Sequence, residues 1–188
     1  MNTQNVNSTA SEYTESSMEA VGDNVRFFST LHFRDAQGNF IMASNVQILA
    51  EAVRAIDYRY PRGTTFSSSE VSEEYFRAKL TGREREIFAV AFLNNQYQLL
   101  AYDEMFSGSL NIVNIHPREI VREALRLNAA AVILSHNHPS FTTEPSRADK
   151  EITIRISHAL NLVEVRLLDH IVVAGNETVS MVGLGINQ

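Results

Sequence analysis

A run of six apolar residues, Ala129 to Leu134 (AAAVIL), leads within two positions to a histidine pair, His136 and His138, and the chain then continues as PSFTTEPSRAD. A short, uniformly apolar run of this kind is what a strand covered on both faces requires. Residues two apart share a face on an extended segment but point to nearly opposite sides of a helix, so the two imidazoles converge only if the extended backbone continues through them. Pro139 and Pro145 suit an irregular loop ending at a helix start. Ser146 and Asp149 then fall in the first helical turn, where a serine cap and an acid facing the helix dipole account for both without invoking any chemistry.

The same letters carry a second reading. His136, His138 and Asp149 make a three-ligand zinc set, one ion per chain, with the fourth tetrahedral position open for water, as in catalytic rather than structural sites. With no cysteine in 188 residues, thiolate ligands and disulfides are both excluded. The lack of disulfides fits a reducing cytoplasm. No basic region followed by an apolar run opens the chain, and no apolar stretch approaches a membrane span, so a cytoplasmic protein without membrane contact is expected. A net charge of -6 weighs against broad, charge-driven nucleic-acid binding.

Around this centre the pattern is that of alternating strands and helices. Residues 1–22 are polar and without hydrophobic period, and are expected to be a disordered tail. Residues 23–62 are expected to be an extension: RFFSTLHF and FIMA as short strands about a DAQGN turn, then a helix capped by Ser44 or Asn45. Residues 63–188 form the main domain. Ser67 with Glu70 fits a capping box for a helix burying Val71, Tyr75 and Ala78. EIFAVAFLN and QLLAYDEMF read as a hairpin about NNQY. Pro117 suits the first turn of a helix with Ile120, Val121, Ala124 and Leu125 on one side. Ser146 to Leu160 is helical, and VRLLDHIVVAG and TVSMVGL are strands joined at Gly175 and Asn176. That order predicts an α/β (α+β) domain with a mixed sheet between helices.

Other candidates are simpler. His32 and His158 read as surface residues, and His116 and His170 as residues that the sequence leaves undecided between structure and support of a metal ligand. Arg118, Arg122 and Arg126 recur at helical spacing, usually a solvated face, with a phosphate-binding stripe as the alternative.

H-x-H-x7-S-x2-D resembles the signature of the JAMM, or MPN, zinc hydrolases. EREIFAVAFLNNQYQLLAYDEMFSGSLN, IHPREIVREALRLNAAAVILSHNHPS, PSRAD and LLDHIVV together resemble the RadC family within that group, from Phe66 to about Gly185. With no helix-hairpin-helix module ahead of the domain, the chain is similar to the short RadC-like proteins of prophages and mobile elements. The resemblance implies a three-layer helix/mixed sheet/helix, cytidine-deaminase-like core. It also implies an upstream glutamate on a strand beside the metal. Glu104, in DEMFSG, is the match, with Gly108 at the family's interval, and Asp103 and Glu119 as competing carboxylates. Where RadC proteins usually read HPSGDPTPS, this chain reads HPSFTTEPS, and Phe141 in place of glycine is expected to alter the loop's path.

What the resemblance implies for function is zinc-dependent amide or isopeptide hydrolysis of a peptide or protein substrate. Glu104 would move the proton, and Ser146 would donate to the developing oxyanion. Two alternatives come with it: a DNA-repair-associated role acting on or with nucleic acid, and a non-catalytic MPN scaffold. A homo-oligomer is compatible with either.

Overall fold

The computed structural model describes residues 31–107 and 115–185. The expected tail, the first half of RFFSTLHF and Gly108 lie outside the described residues. The chain divides into two compact units, Met1–Glu51 and Ala52–Gln188. The division falls inside a helix rather than at the expected 62/63 boundary, because Ile56 and Tyr60 already belong to the core of the second unit.

In the first unit, β1 (His32–Arg34) and β2 (Phe40–Met42) pair antiparallel as the DAQGN turn requires. The Asp35 carboxylate accepts from the Gln37 and Asn39 backbone N–H groups, and Gly38 supplies a φ of 87°. Helix α1 (Asn45–Arg59) starts where the serine cap predicted it. Gln47 N donates to Ser44 Oγ at 3.3 Å and the Gln47 side chain accepts from Ser44 N at 2.9 Å.

The second unit is a five-stranded mixed sheet with helices on both faces, in the order β4-β3-β5-β6-β7. Its elements are α2 (Ser69–Leu80), β3 (Ile87–Leu93), β4 (Leu99–Ser107), α3 (Pro117–Arg126), β5 (Ala131–Asn137), α4 (Arg147–Asn161), β6 (Arg166–Ala174) and β7 (Glu177–Ser180). β5 and β6 run parallel, joined by α4, and the other pairings are antiparallel. This is the three-layer α/β architecture expected. Alternation along β3 divides the core in two. Ala89, Ala91 and Leu93 pack with Tyr75, Phe76 and Leu80 of α2, while Phe88, Val90 and Phe92 pack with Ile120 of α3 and Ile152, Ile156 and Leu160 of α4. All seven residues of β5 are buried, as a strand covered on both faces must be.

Two local expectations shift. The cap of α2 is Ser68, not Ser67; its side chain accepts from Val71 N, and the helix buries Ser72, Tyr75, Phe76, Lys79 and Leu80. That register buries the larger Phe76 and Leu80 in place of Ala78 and is worth more apolar area. The last strand stops at Ser180, where the chain turns and Met181 is fully buried, its N–H donating to the His170 carbonyl. No helix among the described residues is long and apolar enough to cross a membrane.

Candidate metal centre

β5 delivers its last buried side chains to the end of the parallel β5–β6 pair, where the following helix starts. His136, fully buried, lies on the α3/α4 face of the sheet, its ring nearly parallel to Phe88 across the β3 pairing. His138 is one step beyond the strand, its backbone N–H bonded to the Val173 carbonyl at 2.8 Å. Asn137, facing the other way, bridges to β3: its Oδ1 accepts from Ile87 N at 2.7 Å, and its Nδ2 donates to the Arg85 carbonyl at 3.0 Å. The strand end is thereby tied down before the loop departs.

Asp149 reaches the histidines from the first turn of α4. The turn is a full capping box: Ser146 Oγ accepts from Asp149 N at 3.1 Å, and the Asp149 carboxylate accepts from Ser146 N at 2.7 Å. Ser146 Oγ also donates to Asp149 Oδ2 at 2.6 Å. The cap and the chemistry therefore use the same atoms, and the carboxylate is oriented by the serine that was expected to serve the oxyanion.

The three expected ligands converge. His136 Nε2 and His138 Nε2 are 2.9 Å apart, and Asp149 offers Oδ1 at 3.4 Å to the first and Oδ2 at 3.5 Å to the second. One ligand atom from each residue lies within 4.8 Å of the others. A tetrahedral zinc with bonds of about 2.0–2.1 Å has ligand–ligand edges of about 3.3–3.4 Å; the two histidine–carboxylate separations match that edge, and the two imidazole nitrogens have to part by a few tenths of an ångström to take the ion. The donor chemistry fits too. His138 Nδ1 lies 2.6 Å from the Thr142 carbonyl, which only accepts, so Nδ1 carries the proton and Nε2 presents its lone pair to the centre. Two imidazole nitrogens and a carboxylate facing one another inside a protein are an arrangement that a cation stabilises.

Electrostatics express the same unmet demand. Burial pushes the Asp149 carboxyl up, but the His136 and His138 imidazoles beside it and the hydrogen bond from Ser146 outweigh burial and hold it well below the usual carboxylate range. The Asp149 carboxylate beside it raises His138, against its partial burial, with help from the Thr142 carbonyl and the charge of Glu86. His170, left undecided by the sequence, is fully buried behind the ligands. Its Nε2 is 2.8 Å from His136 Nδ1 and its Nδ1 is 2.6 Å from Thr153 Oγ1. Burial, then the neighbouring His136, lowers it well below the ordinary histidine value.

Glu104 is not brought to this centre. A β-bulge lies between the pairs Phe88↔Phe106 and Ala89↔Glu104, leaving Met105 as the extra residue. Without it, alternation from Phe106 would set Glu104 on the His136 face; with it, Glu104 shares a row with Ala89 and Ser135 on the α2 face. There its carboxylate accepts from Arg83 and from Tyr102 Oη. The carboxylate that sequence reading missed is Glu86. The Phe88–His136 pair brings the start of β3 beside the end of β5, and the charge of Glu86, two residues before Phe88, acts on His138. The signal was in the sequence, but only strand pairing reveals it.

The other candidates separate from the site. The Arg118, Arg122 and Arg126 row is an exposed helix face paired with Glu119 and Glu123, as the solvated-face reading expects. Phe141 keeps the left-handed conformation of a glycine, with φ 61°, and its N–H donates to the His138 carbonyl at 3.0 Å. The backbone at Phe141 thus takes the conformation that glycine adopts freely and a phenylalanine disfavours, and the turn's hydrogen bond to His138 holds it there.

Residues 66–186 match the family model of the RadC-like JAB domain. The chain is 50% identical to the UPF0758 protein of Vibrio cholerae over 139 residues, covering 74% of this chain and 87% of that one. It is 46% identical over 143 residues to a UPF0758 protein of Photorhabdus laumondii, and 48% identical over 138 residues to that of Cellvibrio japonicus. These cover 76% and 73% of this chain, and in both cases 62% of the relative's length.

Proposed function

Because this chain belongs to the RadC-like JAB domain family, we propose that it is a zinc-dependent hydrolase cleaving an amide or isopeptide bond in a peptide or protein substrate. The observation that carries this reading is the convergence of His136 Nε2, His138 Nε2 and the Asp149 carboxylate into one group that could hold a metal ion. When bound there, zinc supplies Lewis acidity and lowers the pKa of a coordinated water to about 7.

The chain's own groups supply the rest. Glu86, whose charge acts on His138, holds and transfers the proton at its carboxylate oxygens, the role the family resemblance suggested for Glu104. Ser146 orients Asp149 by donating its one hydroxyl proton to the carboxylate, and it serves an oxygen developing charge on a substrate only when that proton turns away from Asp149. The buried walls from Phe88 and His170 keep water from the inner side of the histidines.

The test is a comparison of two glutamates. Hydrolysis of a mixed peptide library is followed by the release of new amino groups, with zinc content measured on the same samples. Glu86→Gln is expected to keep its zinc and lose about 10²–10⁴-fold in rate, while Glu104→Gln keeps both. Loss of turnover in Glu104→Gln with full turnover in Glu86→Gln would return the proton role to Glu104.

A further inference from the structure

We infer that His170 and Thr153 are positioning residues that fix the tautomer of His136 and so aim its Nε2 lone pair into the metal centre. The inference rests on the zinc reading above.

The direction of every hydrogen bond in the chain behind His136 follows from one carbonyl. Thr153 Oγ1 is 2.5 Å from the Asp149 backbone carbonyl, four residues earlier on α4. A carbonyl only accepts, so the single hydroxyl proton of Thr153 is committed to it. His170 Nδ1, 2.6 Å from the same Oγ1, must then be the donor of that contact. A neutral imidazole carries one N–H, so His170 Nε2 is an acceptor. His136 Nδ1, 2.8 Å from it, is in turn the donor, and His136 Nε2 is left with its lone pair. That nitrogen is the one facing His138 and Asp149.

Every member is closed to water. His136, Thr153 and His170 are each fully buried, and Asp149 nearly so. No solvent molecule can substitute for a lost partner without a cavity being opened, so the chain has one self-consistent arrangement of protons. It also joins two ligands. The path runs from the Asp149 carbonyl through Thr153 and His170 to His136, linking the start of α4 through the middle of β6 to the end of β5. Removing the Thr153 hydroxyl frees His170 to carry its proton on Nε2, which would drive the His136 proton onto the ligand nitrogen and block it.

The experiment uses the full chain in three forms: wild type, Thr153→Val and Thr153→Ser. Zinc affinity is read by competition with a chromogenic chelator, and the fold of each metal-stripped sample by circular dichroism. Thr153→Val, nearly isosteric, is expected to keep its fold and bind zinc about 10–100-fold more weakly, with Thr153→Ser restoring most of the affinity. Imidazole ¹H–¹⁵N spectra of the zinc-loaded wild type, which need no variant, are expected to show His170 protonated at Nδ1 and not at Nε2. A folded Thr153→Val with wild-type affinity, or a proton on His170 Nε2 in the wild type, would overturn the positioning role and leave the zinc reading standing. Wild-type protein that takes up no zinc would overturn the zinc reading itself.

Discussion

Asp149 is at once the third residue of a helix, a capping-box partner and a candidate metal ligand. Its neighbour Ser146 shows how the two uses are joined, since one hydroxyl both receives the Asp149 N–H and donates to its carboxylate. Replacing Ser146 by alanine is therefore expected to cost about 1 kcal/mol of stability, the usual value for a lost helix cap, and also to weaken zinc binding. Chemical denaturation and chelator competition read the two effects separately; a loss of stability with unaltered zinc affinity would show that Ser146 is a cap and nothing more. At this scale the sequence is most informative. The spacing of His136, His138, Ser146 and Asp149 is itself the site, because a strand end and a first helical turn have fixed geometries. His170 was not legible in this way, since its link to His136 runs between strands across 34 residues of sequence.

Between elements, legibility depends on register. Glu104 was chosen by its interval to Gly108 on a strand expected beside the metal, and the face that a strand residue takes follows alternation only until a bulge interrupts it; the extra residue at Met105 turns everything before it to the other face. No letter in YDEMFS announces that bulge. The β6–β7 turn shows the converse, a contact that explains a residue's identity only once the fold is known. Gly175, at φ 61°, receives the Phe141 ring so closely that an added Cβ would lie 2.8 Å from it, while its carbonyl accepts from Thr81 Oγ1. Gly175→Ala is expected to destabilise the protein by about 1–2 kcal/mol from the left-handed backbone alone, with the clash in addition. In a Phe141→Ala background only the backbone part should remain. A double-mutant cycle by denaturant melts measures the difference, and strictly additive effects would mean that the ring does not press on Gly175.

For the molecule as a whole, the fold class followed from the order of apolar periods, because a uniformly apolar strand flanked by amphipathic helices has few ways to be buried. The absence of cysteine narrowed the metal chemistry to histidine and carboxylate ligands. A metal that joins β5 to α4 through side chains from both also links to folding. At a hundredfold excess over its dissociation constant it should add about 2.7 kcal/mol, or roughly 5–10 °C in melting temperature for a domain of this size. Stripping with a chelator should lower the melting temperature by that amount and zinc should restore it; a melt indifferent to zinc would mean that the centre is not occupied in solution. The most direct measurement is the metal content of purified wild-type protein beside His138→Ala, with circular dichroism confirming that both are folded. One zinc per chain in the wild type and none in the variant is the expected result. Equal zinc in the two proteins, or none in the wild type purified with zinc present, would contradict the assignment of His136, His138 and Asp149 as a metal centre.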